Sequence, residues 1–269
     1  MKQHLIVLDL DGTLLTDNQT ISPKTKQTLM KAKEAGHHVM IATGRPFRAS
    51  NLYYQELDLT TPIVNFNGAY IHHPKNPSWQ VIHTPIDMKV VHNVIDSVDK
   101  YQYKNLIAEV IDDVYIHVED QRMMDIFKMG NPKVTIGNLR GNLNENPTSL
   151  LIHAAETNVP LIRQHLQEVH AELIEHRRWG APFNIIEVVR KGLNKAIGVS
   201  LIAKYLGIPR ERIIAFGDED NDLEMIDYAG IGVAMGNGIQ ELKSIANEVT
   251  GTNNEDGIAN FLIERLKLT

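Results

Sequence analysis

The stretch Leu5-Ile6-Val7-Leu8-Asp9-Leu10-Asp11-Gly12-Thr13 decides the fold, because a short apolar run leads directly into acidic residues. Side chains two positions apart on a strand point to the same side, so Asp9 and Asp11 are expected to face one site. Gly12 permits the tight turn that lets both carboxylates reach a ligand. Open α/β sheets bind ligands at the carboxyl ends of their strands. The stretch therefore predicts an α/β fold with a site just after its first strand.

Strands and helices alternate on both sides of the middle of the chain, which indicates βαβ units and a parallel sheet. Ser22-Pro23 is typical of a helix start. The further strands predicted for this sheet are residues 39–42, 62–66, 213–216 and 231–234. A helix is predicted where apolar residues recur every four positions along one face, at Leu193, Ile197, Leu201 and Tyr205.

The middle of the chain shows another pattern, with helices set among pairs of adjacent strands and a loop rich in Gly, Asn and Pro at residues 130–147. Such a pattern favours an α+β unit with a largely antiparallel sheet. We therefore predict a discontinuous Rossmann-like parallel-sheet core, residues 1–84 and 190–269. An inserted α+β domain would occupy residues 85–189.

Composition excludes several classes of protein. The 269 residues include no cysteine, which excludes disulfides, thiolate metal sites and cysteine nucleophiles. A formal net charge of −6 argues against a non-specific nucleic-acid binder. No apolar run approaches the roughly 20 residues of a membrane helix. We expect a cytoplasmic protein without nucleic-acid or membrane partners, and the sequence predicts no oligomeric state.

Further groups suited to a phosphate and a divalent cation follow other predicted strands. Thr43-Gly44 offers a hydroxyl and backbone N–H groups at a helix start, where anions bind. Lys195 would add a cation to balance phosphoryl charge. Asp218, in the acidic run at residues 217–222, can join Asp9 in supplying the carboxylates that Mg²⁺ prefers. The combination predicts phosphate chemistry assisted by Mg²⁺.

On these motifs the chain resembles the haloacid dehalogenase (HAD) superfamily of phosphatases, and within it the Cof-type hydrolases with a large α/β cap. The resemblance covers essentially the whole chain. It rests on Asp9 to Thr13, Thr43-Gly44-Arg45, Asn67-Gly68-Ala69, Lys195, Gly217 to Asp222 and Val233 to Asn237. The insertion falls where the family's cap would lie, so the resemblance implies that residues 85–189 are a cap domain.

The resemblance also implies a role for each site residue. Asp9 would be the nucleophile and Asp11 the general acid and base. The Mg²⁺ ligands would be the Asp9 carboxylate, the Asp11 main-chain carbonyl and Asp218, with Asp222 as an indirect partner that acts through a ligand residue or a water. The phosphate would be contacted by Thr43, Gly44, Lys195 and Asn221.

The predicted activity is Mg²⁺-dependent hydrolysis of small phosphate monoesters, such as a sugar phosphate or a similar phosphometabolite, through an aspartyl-phosphate. Two alternatives use the same core: a sugar phosphomutase and a non-catalytic sensor of phosphorylated ligands. A mutase would convert a hexose phosphate to an isomer with little free phosphate. A sensor would bind phosphorylated ligands without turnover.

Overall fold

The computed structural model describes residues 2–178 and 184–268. The chain divides into two compact units. The first comprises Met1–Arg45, Ser50–Ile82 and Asn194–Thr269, and the second comprises Pro46–Ala49 and His83–Leu193. The segment Pro46–Ala49 therefore lies with the second unit, whereas the sequence-based boundaries assigned it to the core.

Most consecutive strands along the chain are separated by a helix. The strands are β1 (Leu5–Leu8), β2 (His38–Ile41), β3 (Ile63–Asn65), β4 (Tyr70–His72), β5 (Ile82–His83), β6 (Asn105–Val110), β7 (Asp113–Ile116), β8 (Val134–Ile136), β9 (Ser149–His153), β10 (Ile174–Arg178), β11 (Ile185–Arg190), β12 (Ile213–Gly217), β13 (Ile231–Ala234) and β14 (Glu248–Val249). The helices are α1 (Pro23–Glu34), α2 (Phe47–Glu56), α3 (Met88–Val98), α4 (Gln121–Phe127), α5 (Leu139–Asn142), α6 (Val159–His170), α7 (Lys195–Leu206), α8 (Leu223–Tyr228), α9 (Gln240–Ile245) and α10 (Gly257–Leu266). Within the described ranges, none of the helices has both the length and the apolar character needed to cross a membrane.

A five-stranded parallel sheet forms the centre of the first unit, in the order β14-β13-β12-β1-β2. β1 lies between β12 and β2, and Leu5 is opposite both Ile213 and His38. All four residues of β1 are fully buried, as expected for a strand covered on both faces. Because the strands are parallel, the carboxyl ends of β1, β2 and β12 lie at the same edge of the sheet.

The predicted third strand does not extend this parallel sheet. β3 pairs antiparallel with β4 in a separate three-stranded sheet, β3-β4-β5, and is joined to the β2 end by a parallel bridge between Ala42 and Val64. The turn from β3 to β4 has positive φ at Phe66, Asn67 and Gly68 (49°, 53° and 101°). Non-glycine residues rarely adopt such angles, so this turn stores backbone strain. It lies beside the β2 end, where the Asn67 N–H donates to the Thr43 carbonyl (3.1 Å).

Helix α7 forms where the sequence predicts a helix, but its buried face differs from the apolar repeat. Three positions of that repeat are exposed: Ile197 (38%), Leu201 (38%) and Tyr205 (51%). The buried face instead carries Lys195, Gly198, Val199, Ile202 and Ala203. A Cβ at Gly198 would collide with the Val64 side chain, so the missing side chain lets the helix pack closely against β3. One lysine and one glycine therefore mark the face that packs inward.

The second unit is built on a six-stranded sheet in the order β10-β11-β9-β6-β7-β8, antiparallel except between β7 and β8. Helices α3, α5 and α6 pack against one face of the sheet, and α4 contributes Met123 and Phe127 to the other. Both β8 and α5 lie where the sequence predicts a loop, at residues 130–147. The predicted α/β class, with a parallel-sheet core and a largely antiparallel α+β insertion, is confirmed.

A buried ion pair explains why Pro46–Ala49 lies with the second unit. The Arg48 guanidinium pairs with the Glu109 carboxylate, and both side chains are almost completely buried. The Ser149 hydroxyl donates to the second oxygen of Glu109 (3.0 Å), and the Arg48 N–H donates to Asp112 (2.8 Å). Buried charges are costly unless they are paired in this way.

Buried His72 gives the first unit a testable dependence of stability on pH. Burial, with a smaller contribution from the charge of His73, lowers the pKa of His72 from 6.5 to about 4. Below pH 6.5 the unfolded chain therefore takes up a proton that the folded chain binds only near pH 4. This contribution to stability is complete above pH 6.5 and is lost as the pH falls towards 4, by on the order of 1–3 kcal/mol.

His72→Phe should flatten this decline, because phenylalanine keeps a ring beside Tyr70, which lies 4.6 Å from the His72 ring, and cannot titrate. Urea unfolding of both proteins between about pH 7 and pH 4.5 measures the difference. Other buried histidines contribute to the slope of both proteins equally. Equal slopes for the variant and the wild type would contradict the assignment to His72.

Candidate active site

Asp9 is the first residue after β1, and its side chain is buried at the carboxyl edge of the parallel sheet. The Asp9 N–H donates to the Phe216 carbonyl (3.2 Å), which ties this residue to β12. The chain then turns at Gly12, whose φ is +70°. A Cβ at Gly12 would collide with the Asp218 carboxylate, so glycine is required both by the turn and by the approach of Asp218.

Lys195 opens α7 and points its ammonium into the same buried space. The side chain is fully buried, and Nζ lies 2.7 Å from Oδ1 of both Asp9 and Asp222. Burial alone would lower the pKa of Lys195, but the adjacent Asp222 and Asp9 carboxylates outweigh it and raise that pKa above its usual value. The ammonium therefore stays charged and fixes one oxygen of Asp9.

Asp218 and Asp222 come from the loop after β12 and have different surroundings. Asp218 Oδ1 accepts from the Thr13 hydroxyl (2.7 Å). Asp222 Oδ2 accepts from the backbone N–H groups of Asp218 (2.9 Å) and Glu219 (3.2 Å), while its Oδ1 accepts from Lys195. Asp222 thus holds both the loop and the lysine, and both of its oxygens are engaged.

The carboxylates of Asp9, Asp218 and Asp222 form a cluster suited to a metal ion, with one oxygen of each within 4.8 Å of the others. Three carboxylates against the ammonium of Lys195 leave two negative charges when all are ionised. Burial raises the pKa of Asp9 well above its usual range, against the opposing effect of Lys195. Burial and the Asp222 charge raise the pKa of Asp218 to about 7. With no further positive charge, the state in which all three carboxylates are ionised is therefore unfavourable.

A divalent cation fits this site in charge and in ligand chemistry. Hard cations such as Mg²⁺ take oxygen ligands, commonly one or two carboxylates. No residue in the described ranges donates a hydrogen bond to Oδ2 of Asp9 or to Oδ2 of Asp218. These two oxygens are therefore the ones best placed to hold the ion.

Asp11 has different surroundings from Asp9. Its side chain is 52% exposed, and its carboxylate pairs with the Arg45 guanidinium. Arg45 Nε donates to Asp11 Oδ2 (2.7 Å), and the terminal nitrogen NH2 of Arg45 donates to Asp11 Oδ1. The two acids predicted to face one site therefore differ in burial and in partner.

The predicted phosphate-binding residues of two different loops are joined through Asn67. Thr43 is buried, and its hydroxyl accepts from the Arg45 N–H (3.1 Å). A Cβ at Gly44 would lie only 3.2 Å from Nδ2 of Asn67. Asn221 donates to Oδ1 of Asn67 (3.0 Å). The strained turn after β3 thus connects the loops that follow β2 and β12.

The structure brings most of the predicted site residues into contact. Asp9, Lys195, Asp218 and Asp222 form one bonded cluster, and Thr43, Gly44 and Asn221 gather around Asn67. Sequence reasoning did not include Thr13, Arg45 or Asn67 in the site. Thr13 and Arg45 stand inside motifs that the sequence analysis quotes, and Asn67 stands in the Asn-Gly turn. The side-chain hydrogen bonds that bring them to the site link residues at least 34 positions apart, so the local sequence carried no signal for them.

Comparisons with known proteins agree on the family. A model of the haloacid dehalogenase-like hydrolases matches residues 6–262. The chain is 56% identical over 267 residues to the 5-amino-6-(5-phospho-D-ribitylamino)uracil phosphatase YitU of Bacillus subtilis (strain 168), covering 99% of both chains. It is 29% identical over 280 residues to the pyridoxal phosphate phosphatase YbhA of Escherichia coli (strain K12), covering 99% of this chain and 100% of that one.

The fold also matches a solved structure. A haloacid dehalogenase-like hydrolase from Bacteroides thetaiotaomicron superposes with a TM-score of 0.85 at 28% identity, covering 98% of this chain and 100% of that one. The resemblance inferred from the motifs is confirmed.

Proposed function

The chain belongs to the haloacid dehalogenase-like hydrolases and is a phosphoric monoester hydrolase, and we propose that it works with Mg²⁺ through a phosphorylated Asp9. The observation that carries the proposal is the buried cluster of three carboxylates around Lys195 at the carboxyl edge of the parallel sheet. Without a metal ion beside Lys195, burying three carboxylates together costs free energy. The cluster also holds one anionic oxygen in a fixed orientation, as a nucleophile requires.

Asp9 acts as the nucleophile in this proposal. The Lys195 ammonium holds Oδ1 of Asp9 and so orients the carboxylate that attacks the phosphorus of the ester. The bond from phosphorus to the alcohol oxygen breaks as the bond to Asp9 forms. Asp11 gives its proton to the departing alcohol and then takes one from the water that attacks the aspartyl-phosphate. Inorganic phosphate leaves, and Asp9 is again a carboxylate.

Charge neutralisation is divided among the remaining residues. Bound Mg²⁺, held by Asp9, the Asp11 carbonyl and Asp218, would supply positive charge where an anionic nucleophile meets an anionic ester. Lys195 adds a second cation that the protein itself carries. Thr43, Gly44 and Asn221 position the phosphate oxygens through a hydroxyl, a backbone N–H and an amide.

The substrate we propose is the phosphorylated ribitylaminouracil named for the Bacillus subtilis relative, which shares 56% of its residues with this chain over nearly the full length. For any phosphatase of this family, the general expectation is a phosphorylated small molecule as the substrate. The cytoplasmic location and the lack of a nucleic-acid partner stay predictions from composition.

Phosphate release from a panel of metabolites tests the proposal. With Mg²⁺ present, we expect kcat/KM for the phosphorylated ribitylaminouracil to exceed that for pyridoxal phosphate and for hexose phosphates by at least about tenfold, since selectivity of that size needs only one or two differential contacts. Chelation of the metal should stop release, and added Mg²⁺ should restore it. A hexose phosphate isomer formed with little free phosphate would instead indicate the mutase, and binding without turnover would indicate the sensor.

A further inference from the structure

Arg45 donates two parallel hydrogen bonds to the carboxylate of Asp11. Nε and the terminal nitrogen NH2 contact different oxygens of the carboxylate. A bidentate arginine–carboxylate pair of this kind fixes the plane of the carboxylate as well as its distance from the guanidinium. The Arg45 side chain is only 16% exposed although Asp11 is 52% exposed, so the arginine is the anchored partner.

Neighbouring residues hold the guanidinium in place. NH2 of Arg45 also donates to the side-chain oxygen of Gln19, and the guanidinium carbon lies 5.6 Å from the centre of the Tyr53 ring. The Tyr53 hydroxyl in turn donates to the Gln19 carbonyl (3.0 Å). Gln19 has a φ of +58°, a conformation that non-glycine residues adopt only when their surroundings impose it. The loop is thus held in a strained shape that presents its side chain to Arg45.

We propose that Arg45 is the positioning residue for Asp11, holding the carboxylate in the orientation from which it gives and takes protons; this rests on the proposed function. Without a partner, a half-exposed aspartate would sample several rotamers. Proton transfer requires the acid within hydrogen-bond reach of the leaving oxygen. A displacement of about 1 Å can cost on the order of 100-fold in rate.

The alternative role for Arg45 is direct contact with the substrate. The Arg45 guanidinium donates hydrogen bonds to Asp11 and Gln19, and those to Asp11 go to both carboxylate oxygens. An arginine that binds substrate would change KM, whereas one that orients the acid changes kcat. The two roles therefore differ in a measurable way.

Arg45→Gln and Arg45→Lys test the proposal by steady-state kinetics on the phosphorylated ribitylaminouracil. We expect Arg45→Gln to lower kcat by about 10- to 100-fold with KM within about threefold of the wild type. Arg45→Lys should recover part of this loss, because its single ammonium can pair with Asp11 but cannot fix the carboxylate plane.

The leaving group gives a sharper readout. p-Nitrophenolate departs with little help from an acid, whereas the alkyl alcohol of the ribityl ester needs a proton. In single-turnover experiments we expect Arg45→Gln to slow cleavage of the alkyl ester by at least about fivefold more than cleavage of p-nitrophenyl phosphate. In an Asp11→Asn background, the Arg45 substitution should have almost no further effect.

Equal losses for the two esters, additive losses in the Asp11→Asn background, or a raised KM with unchanged kcat would each overturn the proposal. Arg265→Gln is the matched control, since it removes an exposed pair with Glu248 in the same unit and should leave both rates unchanged. If the wild type releases no phosphate and Asp11→Asn has no effect, the proposed function itself fails. The two failures are therefore distinguishable.

Discussion

Asp9→Asn is expected to abolish metal-dependent release of phosphate from p-nitrophenyl phosphate. An amide oxygen is a poor nucleophile and carries no charge, so the aspartyl-phosphate cannot form. The loss should be at least about 10⁴-fold, the scale found when a covalent nucleophile is removed. Release of p-nitrophenol, followed by absorbance with and without Mg²⁺, measures the effect.

The fold should survive this substitution, so that a loss of activity can be assigned to the missing nucleophile. The amide is close in shape to the carboxylate and keeps an oxygen for the Lys195 ammonium, which lies 2.7 Å away in the wild type. Because burial raises the pKa of the Asp9 carboxyl, the ionised form is unfavourable in the fold, and the variant should unfold at an equal or higher temperature.

Asp17→Asn is the matched control, since Asp17 is exposed and lies in the same unit. This control should release phosphate at the wild-type rate. Activity retained by Asp9→Asn would remove Asp9 from the nucleophile role, and with it the phosphorylated intermediate. Tight binding of the substrate by the inactive variant would be compatible with the proposal, because phosphate contacts remain.

The fold was predictable where local pattern decides it. β1 and β12 are apolar runs that end in acidic loops, and both lie in the parallel sheet as expected. β3 has a similar apolar pattern, yet it pairs with β4 instead. An apolar run of a few residues is the same whether its partner is parallel or antiparallel, so periodicity cannot choose between them.

Helix α7 shows a second limit of pattern reading. Apolar residues at Ile197 and Leu201 suggest one face, but the buried face contains Lys195 and Gly198. The lysine is buried because its ammonium meets two carboxylates, and the glycine because β3 approaches closely. Both reasons come from residues far away in the sequence, which hydrophobicity along the helix does not report.

The meeting of Asp9, Lys195, Asp218 and Asp222 at the sheet edge was predictable, because each stands in a motif that follows a strand or opens a helix of the core. Their supporting partners were not. Thr13 bonds to Asp218, and Arg45 bonds to Asp11, across 205 and 34 positions of the chain. Such bonds depend on which loops meet at the sheet edge. The topology supplies that information, and a single sequence does not.

Lys195→Met should destabilise the protein strongly as well as inactivate it. The ammonium is fully buried and pairs with Asp9 and Asp222 at 2.7 Å, so its removal leaves buried carboxylates without their cation. Removing one partner of a buried ion pair costs about 3–5 kcal/mol. Against the 5–15 kcal/mol typical of a whole domain, about a fifth of the stability or more would be lost.

A double-mutant cycle identifies the charge, and not the lost packing, as the cause. Adding Asp222→Asn to Lys195→Met removes one unpaired carboxylate, and the amide keeps an oxygen for the N–H groups of Asp218 and Glu219. The double variant should therefore unfold at a higher urea concentration than Lys195→Met alone. Compared with the sum of the two single substitutions, the coupling energy should be at least about 1 kcal/mol. Lys204→Met, which changes an exposed lysine on the same helix, should stay within about 0.5 kcal/mol of the wild type. Additive effects would mean that Lys195 stabilises the fold through its apolar stem, and its ammonium would then matter for the reaction alone.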